Sequence, residues 1–146
     1  MTAPAPTPSA VAAALARFLA PVRDSDPSPT TRGIVAVYLF GSVARGDATA
    51  QSDVDLGLLY AEAPAHTLAA QPFALEAELA EVLGYPVQCV VMNTAPPDLV
   101  HRILRDQTLL VDRDRSLRIR FEVKMRNDYY DLKPIRDRYR RANRVA

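Results

Sequence analysis

The stretch Phe40–Leu58, FGSVARGDATAQSDVDLGL, overlaps two short apolar runs, Ile34–Phe40 (IVAVYLF) and Val54–Tyr60 (VDLGLLY). The first run is rich in β-branched and aromatic residues and apolar on both sides, so it reads as a central strand covered on each face and stopped by Gly41. In the second, alternation sends Val54, Leu56 and Leu58 to one face and Asp53, Asp55 and Gly57 to the other. A strand that ends in Gly-Ser and enters a short helix offers unpaired backbone N–H groups to an anion. Gly41 lets the backbone approach closely, and the Ser42 hydroxyl adds a donor. Arg45, one turn later, is within reach of either a phosphate or a neighbouring carboxylate.

Ten residues lie between Ser42 and Asp53, and Asp55 follows at i+2. Two carboxylates on the same side of a strand, about 7 Å apart along it, repel unless a cation lies between them. Hard oxygen donors select Mg2+ or Mn2+, and such ions keep positions open for phosphate oxygens. Gly-Ser alone is most often a turn, and Asp-x-Asp alone is most often a solvated strand face. In this order and spacing, between two apolar strands, they describe a cation joining the protein to a nucleotide triphosphate.

Outward from this centre, Val11, Leu15, Phe18 and Leu19 recur at helical spacing, and Pro21 with the Asp24–Pro29 cluster ends that predicted helix. The proline-rich residues 1–9 are expected to be a disordered leader, with residues 10–146 forming a single domain. After the second strand, Ala65–Leu83 is expected to form an amphipathic helix presenting Leu68, Phe73, Leu75, Leu79, Val82 and Leu83, closed by Gly84 and Pro86. Val87–Met92 reads as a third strand, Pro97 to about Arg105 as a helix with Leu99, Ile103 and Leu104 inward, and Thr108–Val111 as a short strand. Ser116–Tyr139 carries Leu117, Phe121, Met125 and Tyr129 at four-residue intervals and predicts a basic amphipathic helix, interrupted or kinked at Pro134. The expected class is α/β.

Charge is segregated. Residues 1–110 hold 6 basic and 11 acidic side chains, whereas residues 111–146 hold 12 and 6. The basic tail reads first as a solvated helix packed through its apolar side, and second as a docking surface for an acidic partner or RNA. No RNP-like or helix-turn-helix signature is present, so direct nucleic-acid binding is not expected. No apolar run approaches the roughly 20 residues that span a bilayer, and no basic residue precedes the apolar N-terminal stretch, so a cytoplasmic protein is expected. The single cysteine, Cys89, excludes an internal disulfide and sits in an apolar run as a small hydrophobe. His66 and His101 lack a second His or Cys at ligand spacing and read as surface or helix-packing residues.

The motifs GSVARG (Gly41–Gly46) and SDVDLGLL (Ser52–Leu59) resemble the signature of the DNA polymerase beta type nucleotidyltransferases. With VQCVVMNTAPPDLVHRILRDQTLLVDRD (Val87–Asp114) and YYDL (Tyr129–Leu132), the chain more narrowly resembles the minimal nucleotidyltransferases (MNT), the antitoxin partners of HEPN ribonuclease toxins. The resemblance implies a small mixed sheet flanked by helices and a basic C-terminal helix. It implies transfer of AMP from ATP to a tyrosine of the toxin, with Gly41 and Ser42 at the phosphates and Asp53 and Asp55 as catalytic metal ligands for Mg2+ or Mn2+; Arg45, from its position one turn on, is the further candidate for the nucleotide. It also implies a protein acceptor, since larger relatives add a helical acceptor domain. Homo-oligomers and hetero-oligomers with the toxin are both open.

One position departs from the family pattern. A third carboxylate, general base and ligand of a second metal, is usual on the third strand, and Gln88 stands at the matching place. An amide coordinates through its carbonyl but accepts no proton at neutral pH. Asp98 and Asp106 lie on the next predicted helix and are poor substitutes. The departure is compatible with a weakened enzyme, with an antitoxin that acts by binding alone, or with an engineered change. A nucleotidyltransferase acting on a small molecule is a further alternative.

Overall fold

The computed structural model describes residues 4–19, 30–65 and 67–144. The Asp24–Pro29 cluster, Pro21, His66 and the Phe18 side chain lie outside the described residues. The chain runs α1 (Pro8–Leu19), β1 (Ile34–Phe40), α2 (Gly41–Arg45), β2 (Val54–Tyr60), α3 (Phe73–Leu83), β3 (Val87–Val91), α4 (Pro97–Asp106), β4 (Thr108–Asp112) and α5 (Arg115–Arg144). The strands form one mixed sheet in the order β3-β2-β1-β4. β1 is antiparallel to β2 and β4, and β2 is parallel to β3. The class is therefore α/β with helices on both faces, as the two-sided apolar pattern of β1 requires.

The period-2 alternation of the strands divides the core in two. Val37, Leu39, Val54, Leu56 and Leu58 face α1 and α3, meeting Val11, Leu15, Leu75 and Leu79. Ala36, Tyr38 and Leu59 face α4 and α5, meeting Val100, Ile103 and Met125. At Gly57 the second layer comes so close that a Cβ would lie 2.8 Å from Met92 Sδ.

Three expectations need correction. Ala65–Leu83 is not one helix. Thr67 Oγ1 accepts from Ala70 N at 3.2 Å and caps a short 3-10 turn over Leu68–Ala70, and Gln71, held extended before Pro72, delays α3 to Phe73. Leu68, Phe73 and Val82 are exposed, although helical periodicity places them on the apolar side. Finally, Pro134 does not interrupt α5, which continues to Arg144. Arg136 Nη2 donates to the Tyr129 carbonyl at 3.2 Å in the turn that the proline weakens, and the Arg136 guanidinium also pairs with Asp98 on α4.

Two side chains finish the sheet where backbone partners run out. Asn93 accepts from Tyr60 N and donates to Tyr60 O, each at 2.9 Å, prolonging the ladder beside β2 after β3 has ended. Glu76 Oε1 accepts from Cys89 N at 2.8 Å on the edge strand β3. The first half of α5 is fixed by a polar chain: Tyr38 Oη donates to Glu122 at 2.9 Å, and Arg118 bridges Glu122 at 3.1 Å and Asp112 at 3.0 Å. Burial pushes the Tyr38 phenol well above its ordinary pKa, and the Glu122 carboxylate adds to the shift.

Candidate nucleotide site

Because β1 and β2 are antiparallel, the end of one lies beside the beginning of the other. Phe40 pairs with Asp55, and Asp55 pairs in turn with Gln88, so three strands place these residues in one row. Immediately after Phe40 the chain turns into α2, a single turn of helix that Gly46 closes in the left-handed region at φ 81°. Thr49 N donates to Ser52 Oγ at 2.8 Å, tightening the bend that returns the chain to Asp53. The ten-residue connection thus delivers Asp53 and Asp55 to the strand end from which Gly41 departs.

Gly41 adopts φ 76°, a conformation that side chains resist, and a Cβ there would collide with Asp55 Oδ2. The glycine turn and the carboxylate are packed against each other. Gln88 Nε2 donates to Asp53 Oδ2 at 3.3 Å, which puts the third-strand amide beside the aspartate pair. Burial raises the Asp55 pKa above the ordinary carboxylate value, the negative charge of Asp53 raises it further, and Arg45 opposes both. Arg45 Nε also donates to Asp47 Oδ2 at 3.4 Å. Ser42 lies in the first turn of α2, half-buried. All five residues read from the sequence thus fall at one end of β1 and β2.

The donor set suits a hard divalent cation: two carboxylates two positions apart, Asp55 raised by burial and then by the charge of Asp53, with an amide oxygen available from Gln88. Among the described residues, no group of three or more His, Cys, Asp or Glu side chains forms a metal cluster. A cavity of about 720 Å3 lies at the opposite end of the strands, near Gly33 and Tyr60, and is lined largely by alanine and proline.

Sequence reasoning missed the junction of α4 and α5. His101 stacks on Tyr129 with ring centroids 3.7 Å apart, and the Arg136 guanidinium carbon stands 4.4 Å from the Tyr129 centroid. Asp98, near the start of α4, takes Arg136 and, at 3.9 Å, Arg140. The signal was present as spacing, with Asp98 and His101 three apart on α4 and Tyr129 and Arg136 seven apart on α5. Nothing in the sequence shows which two helices will meet.

Residues 29–116 match the family model for polymerase beta nucleotidyltransferases. The fold is similar to that of three solved structures. One is a toxin-antitoxin with AMP-PNP, at 24% identity and TM-score 0.71, covering 92% of this chain and 98% of the other. Another is a tri-AMPylated Shewanella oneidensis HEPN toxin in complex with MNT antitoxin, at 21% identity and TM-score 0.69, covering 94% and 98%. The third is the toxin-antitoxin MntA-HepT, at 22% identity and TM-score 0.66, covering 94% and 99%. No curated protein sequence matches the chain. With Gly41, Ser42, Asp53 and Asp55 standing together inside the matched span, the chain belongs to the polymerase beta nucleotidyltransferase family.

Proposed function

We propose that this protein is an MNT-type antitoxin that transfers AMP from ATP to a tyrosine hydroxyl of a HEPN partner and silences it. The observation that carries the reading is the packing of Asp55 against the Gly41 turn with Asp53 two positions away. The solved complexes with similar folds support the choice of acceptor. Asp53 and Asp55 would hold Mg2+ or Mn2+, which when bound neutralises phosphate charge and favours attack at the α-phosphorus. Gly41, Ser42 and Arg45 would receive the phosphates. In the transfer, the tyrosine oxygen bonds to the α-phosphorus, the bond to the bridging oxygen breaks, and pyrophosphate leaves. Gln88 cannot take the tyrosine proton, which passes to water or to a phosphate oxygen. We place the reaction in the cytoplasm, where ATP is available. No helix among the described residues is long and apolar enough to cross a membrane.

The test is transfer of label from ATP to the HEPN protein, with Asp53→Asn and Asp55→Asn as controls. Absence of transfer with either metal would sink the reading. Gln88 itself motivates a second reading, neutralisation by contact alone. The two separate on Gln88→Glu. If the protein is a transferase lacking its base, this variant accelerates transfer by about 10-fold to 100-fold. A protein that acts by contact alone transfers nothing in either form and still protects cells as Asp53→Asn/Asp55→Asn.

A further inference from the structure

We infer that the distal half of α5 is the arm that docks the protein acceptor, taking an acidic surface with an apolar groove. This inference rests on the proposed transfer to a protein partner. Leu117, Phe121 and Met125 share the side of α5 that packs on the sheet. Spacings of seven, three and four residues carry that side on to Leu132, Ile135 and Tyr139. Met125 is buried, whereas Leu132, Ile135 and Tyr139 are 43%, 62% and 70% exposed. The apolar stripe therefore outruns the body that covers its first half. The helix is not left loose, because Asp98 holds Arg136 and Arg140.

Charge decides the occupant. α5 carries 11 basic and 4 acidic residues, and the rest of the chain carries 7 and 13. Arg138 borders the stripe, Arg141 and Arg144 lie farther round the helix, and none of the three makes an ion pair among the described residues. A second copy meeting α5 through its own α5 would bring one strongly positive helix against another. A second copy offering its acidic body would form a head-to-tail contact, which builds a ring or an open filament rather than a simple pair. A nucleic-acid backbone satisfies the arginines and leaves Leu132 and Ile135 without apolar cover. An acidic protein groove satisfies both, in the manner of an amphipathic helix lying in an apolar cleft.

The test uses the full chain carrying Asp53→Asn and Asp55→Asn, so that binding is read without turnover. The proposed HEPN acceptor is titrated against this parent, against Leu132→Ser/Ile135→Ser/Tyr139→Ser, and against Arg138→Glu/Arg141→Glu/Arg144→Glu. The apolar variant is expected to weaken binding about 100-fold. The charge variant is expected to slow association about 10-fold at low salt, with the difference fading at molar salt. Since all six side chains are exposed, unchanged circular dichroism and melting verify folding. Affinities within about threefold of the parent for both variants overturn the inference, as does a parent that binds no HEPN protein. A single-stranded RNA that binds the parent and is lost in the charge variant, while HEPN binding persists, also overturns it. An α5-dependent complex without label transfer in the native protein sinks only the transfer reading. Transfer through an α5-independent complex sinks only this one.

Discussion

At Gly41 a single missing methyl group decides whether the site exists. The left-handed φ of 76° already disfavours any side chain, and a Cβ would occupy the position of the Asp55 carboxylate. Gly41→Ala is therefore expected to lower stability by about 1–2 kcal/mol and to abolish ATP binding, measured by melting and by titration with a nonhydrolysable ATP. Native-like ATP affinity in a folded variant would disprove the packing role. Cys89 gives a second prediction. Burial pushes its thiol up to about 12, with Glu76 adding to the shift. Unfolded thiols titrate near about 8.5, so between about pH 9 and 12 the folded chain retains a proton that the unfolded chain releases. Stability should fall through that window by up to about 1.4 kcal/mol per pH unit, and the contribution is fully present below it. Denaturant melts of wild type and Cys89→Ala across the window check this, because the variant lacks that component. Parallel slopes would refute it. The placement of Asp53, Asp55 and Gly41 was legible in the sequence because each depends on local spacing. The Gln88–Asp53 hydrogen bond was not, because it depends on the register of β3 against β2.

Among the elements, α5 depends most on a contact that its own sequence cannot show. Its apolar side was readable from Leu117, Phe121 and Met125, as were both central strands from their short apolar runs, the first of them stopped by Gly41. What holds its first half is Tyr38, a buried phenol that donates to Glu122 from the middle of β1. Tyr38→Phe keeps the ring and removes the donor. We expect a loss of about 1–2 kcal/mol, with hydrogen exchange accelerating first in the opening turns of α5. Uniform acceleration across the sheet would argue against a local fastening. The missed onset of α3 has the same origin in reverse. Leu68 and Phe73 fit helical periodicity, but Pro72 and the Thr67 cap act locally and override it.

For the molecule as a whole, two helical layers share one sheet and scarcely meet, so damage to one should not soften the other. Leu79→Ala beneath α3 and Ile103→Ala beneath α4 are each expected to cost about 2–5 kcal/mol. Because the sheet lies between them, the double variant should equal the sum within about 0.5 kcal/mol. A larger coupling, measured by denaturant melts, would mean that the layers communicate through the strands. Glu76 bears on the fate of the protein in a crowded solution. By taking the outward N–H of Cys89, its carboxylate fills the place that a carbonyl of a stray strand would need, and it meets any such newcomer with a negative charge. The parallel-paired rim of the sheet, β3, is thereby guarded against amyloid-like growth by a residue from a helix.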